Sequence, residues 1–204
     1  LFQGGGCVDQ IGNYSWGAAQ FLLPHVIGGT SPVSGDVTDW DSVLGNTRLI
    51  VAFGGIPVKN SQVTSGGAGL HNLSGWLQEA QAHGIRLVAI TPTRADIPEG
   101  SNADWIAIRP NTDTALMLAM AHTLIAEGRH DAAFVATHCT GFERWAAYLR
   151  GETDGQAKNA AWAAAITGVP ADTIRALARD LATQRSLLTA AWSLQRAQYG
   201  EQPY

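Results

Sequence analysis

Two short apolar runs that each stop abruptly in polar residues constrain the fold of this chain more than any other feature. The run over 87–90 ends in the letters TPTR, and the run over 105–108 ends in RPNTD, after which a helical pattern begins. Buried strands followed by helix-capping or cationic residues are typical of an open α/β sheet, which binds ligands at the carboxyl ends of its strands. The sequence therefore predicts a ligand crevice at these strand ends.

The pattern on either side of these runs predicts a mostly parallel sheet. A strand over 48–53, a helix over 70–83 and a strand over 86–90 form one unit, whose crossover length implies parallel pairing. Further predicted elements are strands over 104–108 and 186–192, and helices over 113–126, across most of 130–168, and from Pro170 onward. The expected fold class is α/β: an open, mostly parallel sheet flanked by helices, Rossmann-like and doubly wound.

The amino-terminal segment differs in character from the rest of the chain. Residues 1–47 are Gly-rich and irregular, with a short helix expected over 18–27 that breaks at Pro24 and a loop expected over 36–43. We predict that 1–47 is a lead-in or a segment of a neighbouring domain, and that 48–204 is an incomplete α/β domain. The chain starts without methionine and ends without a closing element, so we expect an internal piece of a longer protein.

Composition narrows the classes of partner. A hydrophobic fraction of 46% and a charged fraction of 15% suit a buried globular core, and a net charge of -4 without a dense basic cluster gives no indication of nucleic-acid binding. No apolar run is long enough for membrane insertion. Cys7 and Cys139 lie far apart and are expected to be buried thiols, and the six histidines show no metal-ligand spacing.

The polar residues before the helix at 113 suit a guanine base. The Asp113 carboxylate can accept two hydrogen bonds, from N1–H and N2–H of guanine, a pair that adenine does not offer. Asn111 and Thr112 stand beside it. A carboxylate in the first turn of a helix is also favoured without any ligand, so the structural interpretation stays open.

Cations and a hydroxyl at the other strand ends suit the remainder of a nucleotide. Lys59 and Arg94 can pair with phosphates, and Thr91 can bond a ribose hydroxyl; solvated surface cations and a turn cap are the alternatives. No acidic residue directly follows Ile90, and neither GxGxxG nor GxxxxGK[ST] occurs, which argues against simple NAD and P-loop sites.

The end of the last predicted strand carries a third polar group. Trp192 and Ser193 with Arg196 can stack on a ring and contact an anion, and a core tryptophan with a solvated arginine is an equal alternative. No Gly-x-Ser-x-Gly elbow and no acid pair stand out. No residue is therefore assigned as catalytic or as a metal ligand.

Six segments, in order, resemble the molybdopterin oxidoreductases, and among them the dimethyl sulfoxide, trimethylamine N-oxide and biotin sulfoxide reductases. These segments are 5–29, 40–60, 84–96, 109–125, 139–182 and 190–202, so the resemblance covers nearly the whole chain. It implies oxygen-atom transfer from an S-oxide or N-oxide substrate at a Mo-bis(molybdopterin guanine dinucleotide) cofactor. The molybdenum-ligating serine of the family would lie upstream, so this chain alone would be inactive.

The resemblance also assigns cofactor contacts within the domain 48–204. Ile90 and Thr91 would lie along the guanosine, and Asn111 to Asp113 at the guanine. The full set is Lys59, Asn60, Ile90, Thr91, Arg94, Asn111, Thr112, Asp113, Trp192, Ser193 and Arg196.

The full-length protein would take electrons from a cytochrome or small redox protein, in bacterial periplasm or cytoplasm. A cofactor-free structural domain of a respiratory subunit and a non-catalytic nucleotide-binding module are the alternatives.

Overall fold

A parallel four-stranded sheet forms the centre of the computed structural model, which describes residues 17–30, 38–61, 63–64, 67–68, 71–200 and 202–203. The strands are β1 (Leu49–Phe53), β2 (Val63–Thr64), β3 (Gly67–Ala68), β4 (Arg86–Ile90), β5 (Asp104–Ile106) and β6 (Ser186–Ala190). The sheet has the order β5-β4-β1-β6, and β2 and β3 form a small antiparallel hairpin. Val51 pairs with Val88 on one side and with Leu188 on the other. The predicted α/β class and parallel sheet are confirmed.

Helices cover both faces of this sheet. They are α1 (Gly17–Ile27), α2 (Trp40–Asn46), α3 (Leu73–Ala82), α4 (Asp113–Ala126), α5 (Ala132–His138), α6 (Phe142–Arg150), α7 (Ala160–Thr167) and α8 (Ala171–Thr183). Short 3-10 turns follow three of the strands, at Val58–Ser61, Arg94–Asp96 and Trp192–Gln195.

Side chains that alternate along β1 divide the core into two layers. Val51 packs in a cluster with Leu116 of α4 and Ile174 of α8, whereas Ile50 packs with Val43 of α2 and Leu77 of α3. Successive residues of a strand point to opposite faces, so a strand between two helical layers must be apolar throughout. All five residues of β1 are buried, as this requires.

The strand order reverses direction beside β1, which makes this position the topological switch point of the sheet. The chain runs outward from β1 to β4 and β5, and then returns to place β6 on the opposite side of β1. In open α/β sheets such a reversal separates the loops at the carboxyl ends and leaves a crevice there. Lys59 and Trp192 follow the two strands that border this crevice, whereas Thr91 and Arg94 follow β4, and Asp113 follows β5.

Several predicted boundaries were wrong. The loop expected over 36–43 gives way to α2, because the Asp39 carboxylate caps the helix by accepting a hydrogen bond from Ser42 N at 2.7 Å. The Trp40 ring stacks on Trp76 at 5.3 Å and ties α2 to α3. α1 does not break at Pro24 but continues to Ile27. Proline lacks an N–H, so one carbonyl of the preceding turn has no partner in the helix. Because Pro24 is exposed, that carbonyl lies on the solvent side, where water can donate to it.

Other predictions held or need small corrections. α4 has the bounds expected, whereas β6 ends at Ala190 because a 3-10 turn begins at Trp192. Cys139 is exposed rather than buried, and Cys7 lies outside the described residues. The division of the chain at residue 47 stays a prediction. Within the described ranges, no helix combines the length and apolarity needed to cross a bilayer.

Candidate site at the carboxyl edge of the sheet

Backbone hydrogen bonds extend the sheet into the turns that follow its strands. Gly54 N donates to Ile90 O at 2.8 Å, Ala191 N donates to Phe53 O at 2.8 Å, and Thr91 N donates to Ile106 O at 3.2 Å. These bonds fix the turns after β1, β4 and β6 relative to one another. Polar side chains from separate parts of the sequence therefore share one edge, as predicted.

Two glycines after β1 allow the neighbouring turns to approach closely. Gly54 and Gly55 have φ of 86° and 74°. A Cβ on Gly54 would lie 2.7 Å from the Cβ of Ala191, and one on Gly55 would lie 2.7 Å from Asp96 O. Both the left-handed conformation and the lack of space require glycine here.

Thr91, Asp96 and Lys59 form one connected group across two strand ends. Thr91 is fully buried, and its hydroxyl donates to Asp96 Oδ2 at 3.0 Å. Lys59 Nζ lies 3.6 Å from Asp96 Oδ1, with 71% of the Lys59 side chain exposed. An open cavity of about 320 Å³ adjoins Lys59 and Ala95. Asn60 lies in the same turn as Lys59.

Asp96 was missed by the sequence analysis. Its carboxylate is bonded by Thr91, and its backbone O also accepts from Ile56 N at 3.1 Å, so it joins the turns after β1 and β4. The only sequence signal was a carboxylate five residues beyond Thr91, and its proximity depends on the Arg94–Asp96 turn.

Arg94 remains at the same edge. Its guanidinium carbon lies 5.9 Å from the centre of the Trp105 ring, within the range of a cation–π contact. Trp105 Nε1 in turn donates to Thr91 O at 2.9 Å. The cation is thereby held beside the end of β4.

The turn before α4 is anchored to the end of α7. Arg109 N donates to Thr167 O at 2.9 Å, and Arg109 Nη1 donates to Ala165 O at 2.7 Å, so the guanidinium bonds a terminal helix carbonyl. Thr112 Oγ1 donates back to Arg109 O at 2.7 Å. Asn111 is exposed and adopts a left-handed φ of 63°.

Asp113 is a buried carboxylate without a donor from any other described residue. It begins α4 and is 7% exposed, although Thr112 precedes it as the cap without a side-chain bond to the helix. Burial raises the pKa of Asp113, opposed by a smaller effect of its own backbone N–H. A group that donates two hydrogen bonds would compensate this burial.

The turn after β6 packs on Gly54 and also holds α1. Ser193 Oγ would lie 3.3 Å from a Cβ on Gly54, and Arg196 N donates to Ser193 O at 3.1 Å. Gln195 is buried, and its Oε1 accepts from Ala18 N at 2.9 Å and from Ala19 N at 3.2 Å. Nothing in the sequence pattern signalled this contact.

The predicted residues form a row rather than a single cluster. The order along the edge is Asp113 after β5, Thr91 and Arg94 after β4, Lys59 after β1, and Trp192 after β6. Three strand spacings separate β5 from β6, roughly 14 Å. Such a row suits an extended ligand that lies across the strand ends. Among the described residues, no group of three or more metal-binding side chains occurs.

The comparisons with known proteins decide the family. The family model of the molybdopterin oxidoreductases matches residues 2–204. The chain belongs to the molybdopterin oxidoreductase family. It is 42% identical to a biotin sulfoxide reductase of Cereibacter sphaeroides, over 98% of this chain and 27% of that protein. It is also 42% identical to a dimethyl sulfoxide/trimethylamine N-oxide reductase of Rhodobacter capsulatus, over 98% and 24%.

Further relatives agree with this family. A trimethylamine-N-oxide reductase of Haemophilus influenzae is 39% identical over 98% of this chain and 24% of its own. The chain thus spans about a quarter of the length of these molybdopterin oxidoreductases. The solved structure of acetylene hydratase from Pelobacter acetylenicus matches 78% of this chain and 20% of its own, with a TM-score of 0.61 at 24% identity, a likeness of fold.

Proposed function

We propose that the domain 48–204 binds one molybdopterin guanine dinucleotide by its guanine end, within a full-length reductase of S-oxides or N-oxides. The observation that carries the proposal is the buried Asp113 carboxylate, which no other described residue bonds. Guanine offers two adjacent donors, N1–H and N2–H, which fit one carboxylate. Asn111 and Thr112 border the same position.

The order of polar groups along the edge supports the remaining contacts. From β5 to β6, a carboxylate is followed by Ile90, Thr91 and Arg94, then by Lys59 and Asn60, and finally by an aromatic and polar group. Guanine, ribose, phosphates and pterin occur in this same order in the dinucleotide. Lys59 and Arg94 suit the phosphates, and Trp192, Ser193 and Arg196 suit the pterin side.

The glycines after β1 bring the groups of this edge together. A Cβ on Gly54 would meet Ala191 and a Cβ on Gly55 would meet Asp96, so the turns after β4 and β6 pack directly against the end of β1. When bound, the cofactor supplies two-electron redox chemistry and oxygen-atom transfer at molybdenum. The residues of this chain bind and orient the guanine end, and none of them is assigned a proton-transfer step.

We infer the substrate class from the names of the relatives. They are a biotin sulfoxide reductase, a dimethyl sulfoxide/trimethylamine N-oxide reductase and a trimethylamine-N-oxide reductase. We propose that the full-length protein reduces a small S-oxide or N-oxide and takes electrons from a cytochrome or small redox protein. Reductase assays with these oxides and methionine sulfoxide would distinguish the substrates.

The test is to purify the full-length protein and to measure molybdenum and the guanine released by acid. We expect both in the wild type, and a loss of about half the guanine in Asp113→Ala, because one of two dinucleotides loses its anchor. Asp41→Ala, which removes an exposed carboxylate, should leave both unchanged. A wild-type protein without molybdenum and guanine would contradict the proposal. Submicromolar GMP binding by this chain alone would favour a nucleotide-binding module instead.

A further inference from the structure

We infer that Asp96 supplies the hydrogen-bond acceptor for the ribose hydroxyls of the guanosine, and that Thr91 positions it. The inference rests on the proposed function and deepens it, because it names a residue that contacts the nucleoside. It starts from a difference in exposure between two neighbouring side chains. Thr91 is fully buried, whereas 22% of the Asp96 side chain is exposed.

The buried hydroxyl of Thr91 already has a partner. It donates to Asp96 Oδ2 at 3.0 Å, while its more distant contact with Thr93 O is 3.4 Å. A hydroxyl has one proton to donate, and this proton is directed toward the carboxylate. Thr91 therefore orients Asp96 from below the surface instead of facing a ligand itself.

The Asp96 carboxylate keeps acceptor capacity for a ligand. An ionised carboxylate has about four lone-pair sites, and Thr91 occupies one of them. Lys59 Nζ lies at 3.6 Å from Oδ1, so it contributes charge attraction at a distance beyond a good hydrogen bond. A ribose hydroxyl pair at the exposed side of the carboxylate would complete this arrangement.

The position of Asp96 within the fold points to the same role. In dinucleotide-binding folds an acidic residue at the end of the second strand of the strand–helix–strand unit bonds the ribose. Here β4 is that second strand, and Thr91 occupies the position directly after it. The 3-10 turn Arg94–Asp96 brings a later carboxylate back to Thr91, capped by Thr93 and closed by Ile97 N donating to Arg94 O at 3.0 Å.

Gly55, after β1, shows how closely Asp96 is packed. A Cβ on Gly55 would lie 2.8 Å from the Cβ of Asp96, and Ile56 N bonds Asp96 O. The carboxylate is therefore fixed from β1 as well as from β4. A rigid acceptor loses little conformational entropy when it binds a ligand, as recognition of a small hydroxyl pair requires.

The experiment compares two nucleotides on the cofactor-free full-length protein by calorimetry. The probes are GMP and 2′,3′-dideoxy-GMP, which differ only in the ribose hydroxyls. We expect the wild type to bind GMP roughly tenfold more tightly than the dideoxy nucleotide, as for a hydrogen bond to a charged group. The ratio should fall to about 3 in Asp96→Asn and to about 1 in Asp96→Ala.

Two control variants distinguish a failure of the role of Asp96 from a failure of the proposed function. Glu79→Gln removes an exposed charge on α3 and should keep the wild-type ratio, and Asp113→Ala identifies which binding event belongs to this edge. A tenfold ratio that survives in Asp96→Ala, or a wild-type ratio near 1 with GMP still bound, would overturn the role of Asp96 alone. Failure of the wild type to bind GMP at all would overturn the proposed function with it.

Discussion

The proposed binding role of Asp113 conflicts with the stability of the ligand-free chain. Its carboxylate is 7% exposed, and no other described residue bonds it, so the ligand-free chain bears the desolvation of a charge at neutral pH. We expect Asp113→Asn to stabilise the ligand-free chain by about 1 kcal/mol at pH 7, because the amide removes a buried charge. Urea unfolding monitored by circular dichroism measures this difference.

The stability difference between Asp113→Asn and the wild type should depend on pH in a defined direction. Burial raises the pKa of Asp113 in the folded chain above its usual 3.8, so the folded state binds the proton more tightly than the unfolded state. The wild type therefore loses stability as pH rises from about 3.8 through the folded pKa. We expect the advantage of Asp113→Asn to shrink as the pH falls toward 4, and an advantage that grows at low pH would contradict this assignment.

Gly54 is a second residue whose identity the site requires. Alanine there must adopt a φ of 86° and place its Cβ 2.7 Å from the Cβ of Ala191. We expect Gly54→Ala to destabilise the chain by about 3 kcal/mol, by adding steric overlap to backbone strain. Gly128→Ala, at φ 61° with open space around it, should cost only about 1 kcal/mol. Equal losses in thermal unfolding would contradict the close approach.

Residue-scale prediction from the sequence succeeded where the local pattern carries the information. Asp113 could be placed in the first turn of a helix because an apolar helical pattern follows the polar run. Asp96 and Gln195 could not be found in this way. Their partners, Lys59 of another strand end and Ala18 of a distant helix, come near only through tertiary packing.

At the scale of elements, α1 depends on one side chain from the far end of the chain. Gln195 Oε1 accepts from Ala18 N and Ala19 N, which lie in the first turn of α1 and lack partners within the helix. We expect Gln195→Leu to cost about 1–2 kcal/mol, since it removes the side-chain acceptor of both donors. Gln195→Glu keeps an acceptor at a helix start but buries a charge, so it should recover only part of this loss. Hydrogen exchange of residues 17–27 would report the loss locally.

Element prediction was most reliable where periodicity and caps agreed. The bounds of α4 matched because a long apolar pattern begins at Asp113 and stops before Glu127. α2 was missed because its seven residues are too few for a clear period, although Asp39 caps it. β6 was predicted two residues too long, since an apolar run alone does not reveal where a 3-10 turn begins.

At the scale of the whole molecule, the length of the crossover connections predicted that the strands are parallel. It did not predict that β6 lies beside β1. Crossover length fixes direction but not which edge a returning strand joins. The row of site residues along the edge therefore became visible only with the structure. The residue types that form it had been predicted individually.

The edge strand β6 is less covered than β1. Leu188 pairs with the buried Val51 yet is 59% exposed. We expect Leu188→Lys to change the stability of this chain by less than about 0.5 kcal/mol, as at other exposed sites. In a full-length protein of the relatives' size, where further chain can pack on this strand, the same change should lower the melting temperature by several degrees. Ala182→Lys, at an exposed position of α8, is the matched control, and equal effects in both proteins would contradict the expectation.

The pairing of β1 with β6 also sets the order in which the molecule assembles. Leu49 pairs with Arg86 on one side and with Ser186 on the other, so the second pairing closes a far longer loop. Long-range contacts form late because the chain must lose more entropy before they are made. Pulse-labelled hydrogen exchange during refolding should protect Leu87–Ile90 before Leu187–Ala190. A newly made chain would thus complete the Asp113 end of the edge first and the Trp192 end last, so the whole row of polar residues exists only after the final folding step.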